Sequence, residues 1–268
     1  MKPINLTGRV AVITGASRGI GAATAVAMAE QGADLALVAR TVDARDDIGG
    51  SLAETAAAVR QHGARCLTVG ADLGDPADRA TIVPTVIAEY GRIDVLINNA
   101  AAAIYGSPTT YSDKRRRLTM EVNFFAPFDL TQAVTPPMVE RGEGWVVNLT
   151  SGAATHKSGP PFDNPVETGI YGASKAALDR MTNAMGVALY GTGVRVNAVR
   201  PRAAVLSEGA DVLVGGMLRP DQIEPMETMV GAILALCDCS ADRTAGSYIS
   251  GDLLAEIAAE TARTESDS

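Results

Sequence analysis

Short apolar runs alternate with longer segments of helical periodicity about six times along the chain, and this alternation limits the fold more than any other feature. "RVAVITG" (Arg9–Gly15) is an apolar run that stops at glycine, and "DLALVAR" (Asp34–Arg40), "DVLINNA" (Asp94–Ala100), "WVVNLTS" (Trp145–Ser151) and "VRVNAVRP" (Val194–Pro201) are further strand patterns. An apolar run of that first kind is a strand buried on both faces. Between them lie helix patterns, among them "IGAATAVAMAEQG" (Ile20–Gly32) with a C-terminal glycine, and "SLAETAAAVRQHG" (Ser51–Gly63) with a capping box from Ser51 to Glu54. "RCLTVGADL" (Arg65–Leu73) is a further strand, and "SYISGDLL" (Ser247–Leu254) reads as the last one. Strand-helix alternation requires a parallel sheet covered by helices on both faces and joined by right-handed crossovers. The chain is an α/β protein.

Other helices are predicted over Asp75–Gly91, Arg117–Val134, Ala173–Gly191 and Met229–Cys237. Pro84 should kink or split the first of these, and Pro127 should bend the second. Residues 202–225 have no regular pattern. At 268 residues the chain suits one domain. Residues 1–254 are expected to form it, with 255–268 a polar, disordered tail.

The net charge of −8 argues against a phosphate-backbone partner. No apolar run approaches the roughly 18 residues of a membrane helix, and Met1–Val10 lacks a signal pattern. Three cysteines, Cys66, Cys237 and Cys239, fit a reducing compartment without a disulfide framework. A cytoplasmic protein with neither nucleic-acid nor membrane partners is expected. "CDC" is poor metal spacing, so no metal site is assigned.

In doubly covered parallel sheets, ligands bind beyond the carboxyl ends of the strands. The loop "TGASRGIG" (Thr14–Gly21) stands there, between the first strand and the first helix. Gly15, Gly19 and Gly21 permit a tight turn and a close backbone approach to a pyrophosphate at a helix N-terminus. Ser17, Arg18 and Ile20 complete a dinucleotide cradle. The second strand ends at Arg40, where an acidic residue would bind the two ribose hydroxyls of NAD. Arg40 and Arg18 suit a 2′-phosphate, so NADP(H) is the preferred cofactor, with NAD(H) the alternative because Asp43 is close by. Asp72, followed by Leu73, is placed to accept from an adenine amino group or to cap the next helix. "NNA" (Asn98–Ala100) ends the fourth strand, where Asn98 and Asn99 could hold the loop against the cofactor through side-chain amides, with Ala100 beside the cofactor.

Tyr171 and Lys175 lie four apart in "YGASK", on one face of a helix. An ammonium beside a phenol lowers its pKa and makes it an acid/base near neutrality. A surface pair is the ordinary explanation of this spacing; the preceding dinucleotide loop changes the weighting.

"TGASRGIG", "ADL", "NNA", "VN" (Val122–Asn123), "VNLTS", "YGASK" and "VRVNAVRP" occur together in an order that resembles the short-chain dehydrogenase/reductase family in its single-domain form. The resemblance covers about Val10 to Gly251. It implies a Rossmann-like doubly wound sheet of about seven strands, an NAD(P) cofactor, a carbonyl or alcohol substrate, and a homodimer or homotetramer. It casts Tyr171 as acid/base and Lys175 as its pKa partner and ribose ligand. Asn123 would sit in a helix break and hold a water that links Lys175 to solvent. Ser151 would bind the substrate oxygen, and Pro201 would border the cofactor. Ser151 lies twenty residues before Tyr171, more than the family usual, so Ser158 and Thr150 remain alternatives. Phe162, Ile170 and Met217 are candidate mouth residues, and His156 has no partner motif. Arg202 stands where the family usually has glycine after this proline. "RPR" and the insertion after Arg40 look similar to the hydroxysteroid-dehydrogenase-like branch. "DKRRR" (Asp113–Arg117) reads as a solvated helix face. A cofactor-binding sensor or scaffold with little catalysis is the alternative function, motivated by Arg202 and the long Ser-Tyr interval.

Overall fold

A computed structural model describes residues 4–44, 49–156, 158–160, 162, 168–206 and 223–266. Met217 lies outside them. Seven strands form one parallel sheet in the order β3-β2-β1-β4-β5-β6-β7: β1 Val10–Thr14, β2 Asp34–Ala39, β3 Cys66–Gly70, β4 Val95–Asn98, β5 Gly144–Leu149, β6 Val194–Arg200 and β7 Ser247–Ile249. The described helices are α1 Gly19–Glu30, α2 Leu52–Arg60, α3 Pro76–Tyr90, α4 Asp113–Met120, α5 Ala126–Arg141, α6 Gly169–Ala188, α7 Met226–Leu236 and α8 Ser250–Ser266. Strand order reverses between β1 and β4, and the crevice opens there.

Successive strand residues point to opposite faces, so each strand feeds two cores. Ala11, Ile13, Leu35, Leu37, Val95 and Ile97 pack with Met28 of α1, Leu52 of α2 and Ile233 of α7. Val10, Val12, Ala36, Val38 and Leu96 pack with Ile82 of α3 and Leu130 of α5. Each such fully buried aliphatic side chain contributes about 1.5–3 kcal/mol. This double burial explains why these central strands lack polar alternation.

Three expectations are corrected. Pro84 neither splits nor ends α3, which is continuous over Pro76–Tyr90. Pro84 is on the exposed face, where the carbonyl it leaves without a donor is accessible to water. The helix expected over Arg117–Val134 is present but longer, running through Asp113–Arg141 as α4, a π-helical turn over Glu121–Phe125, and α5 with Pro127 in its first turn. The last strand stops at Ile249, and the supposed tail is α8. Leu253 is buried and Leu254 and Ile257 pack on the core, while Arg243 pairs with Glu256 at 2.8 Å and Glu260 at 2.9 Å. Those apolar contacts and the pairing of the acidic residues hold as a helix a segment whose composition alone reads as disordered.

Candidate active site

At the carboxyl end of β1 the chain turns sharply into α1. Gly15 (φ +67°) and Gly19 (φ +57°) adopt the left-handed region that glycine tolerates. A Cβ on Gly15 would come 2.8 Å from the Ala100 Cα, and one on Gly21 would come 2.5 Å from the Asn99 Nδ2. The loop is thus sealed against the end of β4. Asn99 Nδ2 donates to the carbonyls of Thr14 at 2.8 Å and Gly15 at 3.1 Å, and the Thr14 hydroxyl accepts from the backbone N–H groups of Asn99 and Ala100. Asn98 points the other way, as the period of a strand requires. Its amide donates to Asn148 Oδ1 at 2.8 Å, and the Asn148 amide donates to Thr182. Of the two expected amides, only Asn99 holds the loop.

This loop is one wall of a crevice of about 460 Å³ lined by Gly15, Ser17, Arg18, Gly19, Ile20, Arg40, Asp72, Leu73, Asn99, Ala100 and Tyr171, all foreseen from sequence. A groove this long, floored by a helix N-terminus whose glycines leave no room for a Cβ, fits a dinucleotide. Arg40 is exposed at its rim. Arg18 is turned to the chain after β2, donating to the carbonyls of Gly49 at 2.7 Å and Gly50 at 3.0 Å, so it shapes the rim through backbone contacts. Asp72 borders the crevice and its Oδ1 accepts from the Gly74 N–H at 2.9 Å, but it does not cap α3, whose N-cap is Asp75, accepting from the Ala77 N–H at 2.9 Å. Gly21, Lys175, Ser151, Asn123 and Pro201 stand behind the lining rather than in it.

Tyr171 is at the other end of the crevice. Gly172 lets α6 close on the turn after β5, since a Cβ there would lie 2.5 Å from the Ala153 carbonyl oxygen. That approach brings the Ser151 hydroxyl beside the Tyr171 phenol despite their separation in sequence, while its Oγ accepts from the Ala153 N–H at 3.2 Å. Ser158 and His156 are exposed, Thr150 is buried, and none of these three lines the crevice. Phe162 is exposed, and neither it nor Ile170 lines the crevice.

Lys175 is one helical turn on, 2% exposed, with Nζ 6.0 Å from the Tyr171 ring centroid. Its ammonium donates to the Leu149 carbonyl at 2.7 Å, and burial depresses its pKa to about 8, with Asp179 opposing. The expected acidic phenol is not what the chain alone produces. Burial, with the Tyr105 phenol adding, pushes Tyr171 up to about 12, against the opposing effect of Ser151. The protein by itself holds a protonated phenol next to a reluctant cation. Asn123 occupies the expected helix break, the π turn. Fully buried, it accepts from the Ala102 N–H at 2.7 Å and donates to Ser174 Oγ at 2.9 Å, tying the loop after β4 to α6.

Sequence reading missed Tyr105, whose ring meets Tyr171 edge-on at 5.4 Å between centroids. An aromatic inside a loop carries no periodic signal. Arg202 does not enter the crevice: its guanidinium pairs with Asp252 on the outside. In "DKRRR", Asp113 pairs with Arg116 and with Arg117, at 2.7 Å for the latter, as a solvated face does. All three cysteines are free.

Comparison with known proteins agrees with this geometry. The family model for short chain dehydrogenases matches residues 9–210. The ketoacyl reductase HetN of Nostoc is 36% identical over 196 residues, which are 73% of this chain and 63% of HetN, under two thirds of that protein's length. L-sorbose reductase from Gluconobacter frateurii, solved with NADPH and L-sorbose, superposes with a TM-score of 0.78 at 26% identity, over 92% of this chain and 96% of that one. A short chain dehydrogenase from Mycobacterium paratuberculosis, solved with NAD, gives a TM-score of 0.78 at 26% identity, over 92% and 98%. With the family model matching three quarters of its length and these superpositions of its parallel sheet, the chain belongs to the short-chain dehydrogenase family of NAD(P)-dependent oxidoreductases.

Proposed function

We propose that the protein is an NADP(H)-dependent oxidoreductase that moves hydride between the nicotinamide and a carbonyl or secondary-alcohol substrate. One observation carries this reading: Tyr171, with the Ser151 hydroxyl beside it, lines the same crevice as the glycine loop. The backbone at Gly19 and Ile20 receives the pyrophosphate. Asp72 and Leu73 flank the adenine, and Arg40 takes the 2′-phosphate, which gives NADP(H) its advantage over NAD(H). When bound, the cofactor supplies or accepts the hydride.

The chain's own residues manage the oxygen. In reduction, Ser151 donates a hydrogen bond to the carbonyl oxygen and aligns it with Tyr171. As charge develops on that oxygen, Tyr171 passes it the phenolic proton, and the phenolate left behind is reprotonated from solvent. A phenol held neutral by burial is the correct starting state for this acid. Lys175, one turn away, stabilises the phenolate once it forms. Asn123 keeps the Ala102 loop and α6 in register, and a water next to it links Lys175 to solvent. Positioning and stabilisation of the alkoxide supply most of the rate.

The test is a screen of ketones and secondary alcohols followed at the absorbance of reduced nicotinamide. Tyr171→Phe should cut turnover by about 10²–10⁴-fold while leaving cofactor affinity unchanged. Full turnover in that variant would defeat the assignment. The sensor or scaffold alternative loses its two motives, because Arg202 turns outward and Ser151 does reach Tyr171.

A further inference from the structure

Three backbone segments converge where β6 ends, and one carboxylate joins them. Glu224 is 8% exposed. Its Oε2 accepts from the Arg202 N–H at 2.6 Å and from the Ala203 N–H at 3.5 Å, and its Oε1 accepts from the Ser250 hydroxyl. Its own N–H donates to the Ala204 carbonyl at 2.8 Å, next to a parallel bridge between Ala204 and Ile223. The chain leaving β6, the chain entering α7 and the first residue of α8 therefore meet at one side chain. Ser250 is fully buried. A carboxylate buried this deeply needs several donors, and a hydrogen bond to a charged acceptor contributes more than a neutral one. Two residues beyond the clasped N–H groups, Val205 lines the same crevice as Tyr171. The arrangement also accounts for Arg202: its backbone N–H is used by Glu224, while its side chain goes outward to Asp252.

We infer that Glu224 is a positioning residue that fixes the 201–205 segment, which carries Val205 into the crevice wall, and through it the affinity for the nicotinamide half of the dinucleotide. This rests on the proposed reading, in which the adenine half lies at Arg40 and Asp72 and the nicotinamide half at Tyr171. The adenine half touches nothing that Glu224 holds.

The experiment compares binding of NADPH and of 2′,5′-ADP, the adenine-ribose portion alone, by titration calorimetry on the full chain. Glu224→Gln keeps the shape and removes the charge. It should weaken NADPH by about tenfold, the effect of losing charged hydrogen bonds, and leave 2′,5′-ADP within about twofold. Asp252→Asn, which disturbs only the exposed pair, should change neither. A residue needed merely for stability would lower the melting temperature without altering the ratio of the two affinities. An unchanged ratio in Glu224→Gln, with both probes bound by the wild type, overturns the inference alone. A wild type that binds neither probe overturns the nucleotide reading and the inference with it. Should Glu224→Gln not fold, Ser250→Ala removes one donor only: a selective loss of NADPH affinity then supports the inference, and an unchanged ratio overturns it.

Discussion

Replacing Lys175 by methionine should make the protein more stable relative to wild type near neutral pH and less so as the pH rises. The folded protein holds this ammonium, 2% exposed, at a pKa of about 8 against an ordinary 10.5. Between those values the unfolded chain binds more protons than the folded one, so wild-type stability gains with pH across that window and its penalty is fully present below it. The shift of 2.5, from 10.5 to about 8, corresponds to about 3 kcal/mol of penalty near pH 7. Integrating the two titrations leaves about 1 kcal/mol near pH 9.5, so the mutant's relative stability should fall by about 2 kcal/mol across that range. Methionine also leaves the Leu149 carbonyl without its donor, a cost of about 1–3 kcal/mol that does not vary with pH. The slope is therefore the diagnostic quantity, not the offset. Urea unfolding of both proteins at several pH values measures it, and the raised thiols and phenols, common to both, cancel. A difference that stays level from about pH 7 to pH 9.5 would refute a desolvated, charged lysine and with it the electrostatic account of the site.

Three further outcomes are expected. Gly21→Ala, which forces a Cβ to 2.5 Å from the Asn99 amide, should weaken dinucleotide binding by about tenfold or more, read by NADPH fluorescence titration. Arg40→Asp should invert cofactor choice, since a carboxylate repels a 2′-phosphate and accepts from ribose hydroxyls; the ratio of kcat/KM for NADPH and NADH is the measurement. Ser151→Ala should lower kcat by about 10²-fold while Ser158→Ala leaves it unchanged, in steady-state assays once a substrate is found.

Patterns of short range were enough for most of the fold. The central strands β1, β2 and β4 could be read because they are apolar on both faces, and the glycine turn because its residues serve a backbone shape that sequence spacing encodes. The crevice lining from Gly15 to Ala100 followed, since strand ends in a parallel sheet share one edge. Where the reading went astray, the deciding contact was distant. Helix α8 depends on burial of Leu253 and on Arg243 reaching Glu256 and Glu260. Tyr105 sits in a loop, and only folding sets it against Tyr171.

The sequence by itself determined the sheet, the cofactor cradle and the pairing of Tyr171 with Lys175, because each rests on neighbours along the chain or on a repeating period. Only the tertiary structure decided that Ser151 reaches the phenol, that Arg202 faces outward, and that the phenol is raised rather than lowered. A pKa depends on every group and on the solvent excluded around it, and at Tyr171 burial outweighs the opposing effect of Ser151.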